Sequence, residues 1–143
     1  MTAFIGNGLY ILPNGLLDNL PRLVGADFSD NNLINSWDLE IQRSKEIQAI
    51  SFHSNKMLEI KPLKNLNDLV SLMLQNNHIS IIKSNTFVNL ASLLINNLSE
   101  NRINTVEWNS FVNVPKLKHL FLSNNRIVQM NGIFSANMSL TSL

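Results

Sequence analysis

The sequence predicts a repeat solenoid of the α/β class, with short parallel strands on a concave face and irregular or short helical segments on the convex side. Three observations predict it. One motif recurs five times along the chain. An asparagine holds the same offset in every copy, and the apolar residues before it alternate as they do on a strand. The chain also holds 23 Asn and 23 Leu among 143 residues. Asparagine is a poor filler for helices and strands, so that abundance requires a positional cause.

The copies are "LVGADFSDNNL" (23–33), "IQAISFHSNKM" (47–57), "LVSLMLQNNHI" (69–79), "LLINNLSENRI" (93–103) and "LKHLFLSNNRI" (117–127). Each reads apolar-x-x-apolar-x-apolar-x-x-Asn-x-apolar, except that Asn96 takes an apolar place. The shared residues are Asn31, Asn55, Asn77, Asn101 and Asn125, spaced 24, 22, 24 and 24 apart. One step back lies Asn7, with Phe4 and Leu9 in register, and "LTSL" (140–143) opens a further unit. The second halves also repeat: 9–23, 79–93 and 103–117 place Leu17, Phe87 and Phe111 at one offset. Two units depart from this. Residues 60–69 run two short, so Ile60, Leu63 and Leu66 must pack in a tighter segment. Residues 34–47 put Ser36 and Ser44 at apolar offsets, with Trp37, Leu39 and Ile41 as substitutes.

In "SLM" (71–73) and its equivalents, alternate side chains face opposite ways. Leu72 and Leu74 face the core and Met73 faces out. After each strand the chain turns, which leaves backbone groups needing partners. An asparagine amide both donates and accepts, so Asn7, Asn31, Asn55, Asn77, Asn101 and Asn125 are expected to form a ladder bonding successive turns. Phe87 and Phe111 are expected in the core. Asn96 stands where Ile50, Leu72 and Leu120 point inward. It must therefore find backbone partners, sit on a bulge, or remain a core flaw.

These repeats resemble the leucine-rich repeat superfamily, and the 24-residue period is similar to the subclass typical of extracellular proteins. Toll-like receptor ectodomains, insect leucine-rich immune and adhesion proteins and small matrix proteoglycans carry it. The resemblance implies non-catalytic recognition of a protein or other large ligand, by an extracellular or cell-surface receptor, adhesion or immune protein. A structural spacer or dimerisation segment is the alternative. Residues 1–143 then form one array of about six repeats. The cysteine-rich caps usual in the subclass are absent, so the expectation is a fragment of a longer array. Solenoids need polar caps over their terminal repeats, so uncovered ends favour self-association.

Composition narrows the function. Eleven basic against ten acidic side chains give no overall reason to expect nucleic acid or an anionic membrane. With no cysteine there are no disulfides, thiolate metal sites or cysteine nucleophiles. No apolar run reaches membrane-spanning length, and the N-terminus shows no signal peptide. No cofactor motif is present. His53, His78 and His119 fall on different units at different offsets, which argues against a metal site.

The outward strand positions make three columns: Gly25, Ala49, Ser71, Ile95, His119; Asp27, Ser51, Met73, Asn97, Phe121; and Ser29, His53, Gln75, Ser99, Ser123. Met73, Ile95, His119 and Phe121, with Gln75 and His53, are the candidate ligand-binding residues. An aromatic and flexible apolar groups among amides and hydroxyls suit a protein partner. Ser29, His53 and Asp27 are the residue types of a hydrolase triad, but no nucleophile elbow or oxyanion loop accompanies them, and no enzyme is expected. Asn97-Leu98-Ser99 and Asn137-Met138-Ser139 are glycosylation acceptor patterns. A glycan on Asn97 would cover the candidate face, so Asn97 is expected to be unmodified.

Overall fold

The computed structural model describes residues 1–12, 16, 20, 22–34, 46–135 and 140–142. Leu17, Asn137 and the substitutions at Ser36, Trp37, Leu39, Ile41 and Ser44 lie outside the described residues.

One face is a six-stranded parallel sheet. Its strands, in spatial order, are β1 (Thr2–Ala3), β2 (Gly25–Asp27), β3 (Ala49–Ser51), β5 (Ser71–Met73), β8 (Ile95–Asn97) and β11 (His119–Phe121). Each pairs in register with the next, so Ala26, Ile50, Leu72, Asn96 and Leu120 form a single inward row. The opposite side departs from the expected α/β architecture. Among the described residues there is no helix. Instead there are two three-stranded parallel sheets. One holds β4 (Leu63–Lys64), β7 (Phe87–Val88) and β10 (Phe111–Val112). The other holds β6 (Ile81–Ile82), β9 (Thr105–Val106) and β12 (Gln129–Met130). The physical reason is composition. Ile, Val, Thr and Phe recur at the same offsets here, and β-branched and aromatic side chains favour extended backbone. The coil also turns too often to leave room for a helix of useful length.

Each full coil is thus three short strands joined by corners, and the corners are turned by left-handed residues. The corner after the main strand holds Asp30, Ser54, Asn76, Glu100 and Asn124, all with φ between 54° and 56°. The second holds Asn85, Asn109 and Gly132, and the third Asn65, Asn89 and Asn113. Asparagine tolerates this conformation better than other residues bearing a Cβ. Much of the asparagine excess that is not in the ladder is therefore at corners. The third corner adds its own bonds: Asn89 donates to Asn65 at 3.0 Å and Asn113 to Asn89 at 2.9 Å.

The buried asparagines bond from turn to turn. Nδ2 of Asn77 donates to the carbonyls of Leu74 and Gln75 in its own turn and of Phe52 in the turn before. Its Oδ1 accepts the N–H of Met57 at 3.0 Å. Asn31, Asn55, Asn101 and Asn125 repeat the arrangement, accepting from Leu9, Leu33, Ile79 and Ile103. Among the described residues Asn7, in the first turn, donates its amide only to Ile5 and its N–H to Asn31.

Between the sheets runs one apolar column. Leu72, Leu74, Ile79, Ile82, Leu90, Leu93 and their equivalents are buried. Two aromatic stacks line it. Phe4, Phe28 and Phe52 stack behind the main sheet with centroids 5.2 and 5.1 Å apart. Phe87 and Phe111 stack at 4.7 Å beneath the opposite side. The short unit keeps Ile60, Leu63 and Leu66 buried and lines Leu63 up with Phe87. It omits a strand from the β6–β9–β12 sheet, which is where its two missing residues show.

Asn96 resolves plainly. It pairs in register with Leu72 and Leu120, so there is no bulge. It is fully buried, and neither side-chain polar atom has a hydrogen-bond partner. A buried amide without partners costs about 1–3 kcal/mol. Asn96→Leu should therefore raise the urea midpoint; an unchanged or lowered midpoint would show that the amide has partners in solution. For the ladder, Asn77→Ala should destabilise the chain by about 1–3 kcal/mol, since one buried N–H and three carbonyls lose a partner. The neighbouring Asn76 is exposed at a left-handed corner, so Asn76→Gly should leave the midpoint close to its starting value. Equal losses at the two positions would contradict the distinction.

Candidate functional site

The strands of the main sheet place every second side chain on its outer face, at the spacing of the repeat. Along the second outward column, Ser51, Met73, Asn97 and Phe121 are register neighbours. Along the first, Ser71, Ile95 and His119 are neighbours. Asn97 is thus ringed by Met73, Ile95, His119 and Phe121. The His119 and Phe121 rings lie near parallel with centroids 6.1 Å apart. Phe121 is 38% exposed, and Met73, Ile95 and His119 are half-buried. This places a small apolar ring at the C-terminal half of the sheet.

The third outward column behaves differently from the other two. Ser29 and Ser99 are buried, although the strand alternation points them out. The chain is already bending there. Oδ1 of Asp27 accepts the N–H of Ser29 at 3.0 Å, and Oδ1 of Asn97 accepts that of Ser99 at 3.1 Å. These local turns draw the column inward. Ser99 Oγ also meets Ser123 Oγ at 3.0 Å. His53 and Gln75 stay half-buried at the rim, with His53 Nδ1 3.1 Å from Ser54 Oγ.

Several polar atoms on this face lack partners. Ser51 Oγ and Gln75 Oε1 are buried with no hydrogen bond. Asn97 turns its oxygen to Ser99, and its Nδ2 makes no hydrogen bond among the described residues. The ring of apolar groups therefore encloses an amide donor and adjoins a hydroxyl and a carbonyl. Sequence reasoning did not find Ser51 as part of this set. The signal was its place beside Met73 in the second column.

The triad-like trio is not assembled. Asp27 bonds backbone at Ser29, His53 faces Ser54, and no hydrogen bond joins the Ser29 hydroxyl to His53 among the described residues. Among those residues there is also no group of three or more His, Asp or Glu placed to hold a metal, and no helix long and apolar enough to cross a membrane.

A family model described as leucine rich repeat matches residues 67–127 and 97–143, together more than half of the chain. The chain belongs to the leucine-rich repeat family. No curated protein matches it. Leucine-rich repeats commonly mediate protein binding and are generally non-catalytic, and they occur both outside and inside cells. In this leucine-rich repeat chain the coil is closed by strands on both sides, so the outer face of the main sheet is one of three extended surfaces. The leucine positions explain the core. The columns that alternate with them are free to vary, and any specificity resides there.

Proposed function

We propose that this chain is a protein-recognition module whose ligand docks on the outer, concave face of the main sheet. The observation that carries the proposal is the pairing of a partly exposed apolar ring with the unpartnered Asn97 amide donor at its centre. Met73, Ile95, His119 and Phe121 offer apolar and aromatic contact of the kind that anchors protein interfaces. Asn97 Nδ2 offers a donor within the ring, while Ser51 Oγ and Gln75 Oε1 lie beneath the surface beside it, closed to solvent. A partner with an apolar side chain and a carbonyl next to it matches both. The six strands span roughly 24 Å at about 4.8 Å per strand, enough for a contact of about 800 Å² on each side.

By family resemblance the module serves an extracellular or cell-surface protein in recognition, adhesion or immunity. In that setting Asn97 is an acceptor for glycosylation, and the proposal requires it to be bare. The spacer or dimerisation reading differs by leaving this face empty.

Met73→Ser combined with Phe121→Ser tests the proposal. Both residues face outward, so the variant should keep its urea midpoint and lose partner affinity by about tenfold or more, the size of one lost interface anchor. Retained binding in the double variant would move the docking surface elsewhere. Peptide mapping of protein made in secreting cells should return unmodified Asn97, and a glycan there would remove the face from consideration.

A further inference from the structure

We propose that a second surface, the file of Lys56, His78, Arg102 and Arg126 along one flank, binds a linear sulfated polysaccharide. Each of the four follows a ladder asparagine by one residue. Each donates its backbone N–H, at 2.9 Å, to the turn before it: Lys56 to Leu33, His78 to Met57, Arg102 to Ile79 and Arg126 to Ile103. Identical bonds hold the four in a straight file, one repeat apart at about 4.8 Å and about 14 Å end to end. The net charge of the chain is only +1, so the file is a local concentration and not a reflection of overall charge.

The charges are uncompensated. Lys56, Arg102 and Arg126 are exposed and His78 is half-buried. Among the described residues none of the four side chains is in an ion pair or hydrogen bond. Glu59 and Glu107 are engaged elsewhere. Glu59 pairs with Lys83 at 2.9 Å, and Glu107 accepts both the N–H and the hydroxyl of Ser84. Among the described residues Glu100, at the corner before Arg102, pairs with no member of the file. Burial, then Arg102, then Lys56 hold the His78 imidazole below its ordinary value, as an unneutralised row of cations should.

The neighbours of the file select the polyanion. On one side stand Ser54, Asn76, Glu100 and Asn124, and on the other Ser80 and Asn104 between Leu58 and Val128. Hydroxyls and amides suit sugar hydroxyls and ester oxygens, and two guanidiniums suit the paired oxygens of a sulfate. No Phe, Tyr or Trp stands in the file or in these flanking positions and His78 is its single ring, so single-stranded nucleic acid would lack a stacking platform for successive bases. The file also crosses the turns, where backbone N–H groups are already bonded, so an acidic peptide could not add as a strand.

A bound polyanion favours protonated His78 and so reverses its downward shift. Binding should then take up a proton and tighten as the pH falls through the histidine range. The test is titration of the whole chain with a heparin-derived octasaccharide. Arg102→Gln with Arg126→Gln should weaken binding by about tenfold or more, and salt should weaken it further. Wild type should bind more tightly at pH 5.5 than at pH 7.5, and His78→Asn should lose that gain. The variant Met73→Ser, Phe121→Ser should bind the octasaccharide as wild type does, which separates this surface from the sheet face. Unchanged affinity in the arginine variant, with an unchanged urea midpoint, would overturn the proposal. So would equal affinity for an oligothymidylate of the same charge or for anionic vesicles.

Discussion

The turns at Asn31, Asn55, Asn77 and Asn101 each depend on one buried amide, and Asn125 repeats the arrangement half-buried. After each main strand the chain bends sharply. At the Asn77 turn the bend leaves the carbonyl of Leu74 and the N–H of Met57 without backbone partners among the described residues, while the Gln75 carbonyl also takes the N–H of Ser54. Burying such groups unpaired would cost more than the apolar column nearby could easily offset. The asparagine side chain answers with two donors and an acceptor at one point, as at Asn77. Because two of its bonds, to Phe52 and from Met57, reach the previous turn, it also sets the spacing between turns. The strands, the aromatic stacks and the files of surface residues all inherit that register.

The register has consequences on the outside. A residue type placed at one offset becomes a row, repeated about every 4.8 Å. That is how Met73 and Phe121 come to flank Asn97 although 48 residues separate them. It is also how Lys56 and Arg126 share one flank. Surface chemistry in such an array is read across the turns and not along the chain. A cluster that looks scattered in the sequence is contiguous when its members share an offset.

Asn96 shows how much error the arrangement tolerates. It breaks the inward row with an unpartnered amide, yet both neighbouring strands stay in register. The neighbours Leu72 and Leu120, and the asparagine bonds of Asn101 and Asn125, over-determine the position. A local penalty of about 1–3 kcal/mol is absorbed because cooperativity is spread over adjoining turns.

The sequence alone determined the repeat, the inward leucines and phenylalanines, the place of the ladder asparagines from Asn31 to Asn125 and the strands of the main sheet. Those follow from period and polarity, which are local and survive in a linear reading. It did not determine what the opposite side would be, and an expected helical or irregular side proved to be short strands among the described residues. Choosing between helix and strand over so few residues depends on whether the adjacent turn offers a hydrogen-bonding edge. Only the stacked structure supplies that edge. The left-handed corners at Asn65, Asn89 and Asn113 were equally hidden, since an asparagine in a ladder and one at a corner look alike in the sequence. The buried Ser29 and Ser99, and the unpartnered Ser51 and Gln75 on the outer face, were likewise decided by tertiary structure. Alternation says which way a strand residue points. Whether its polar atoms find partners depends on the turns above and below.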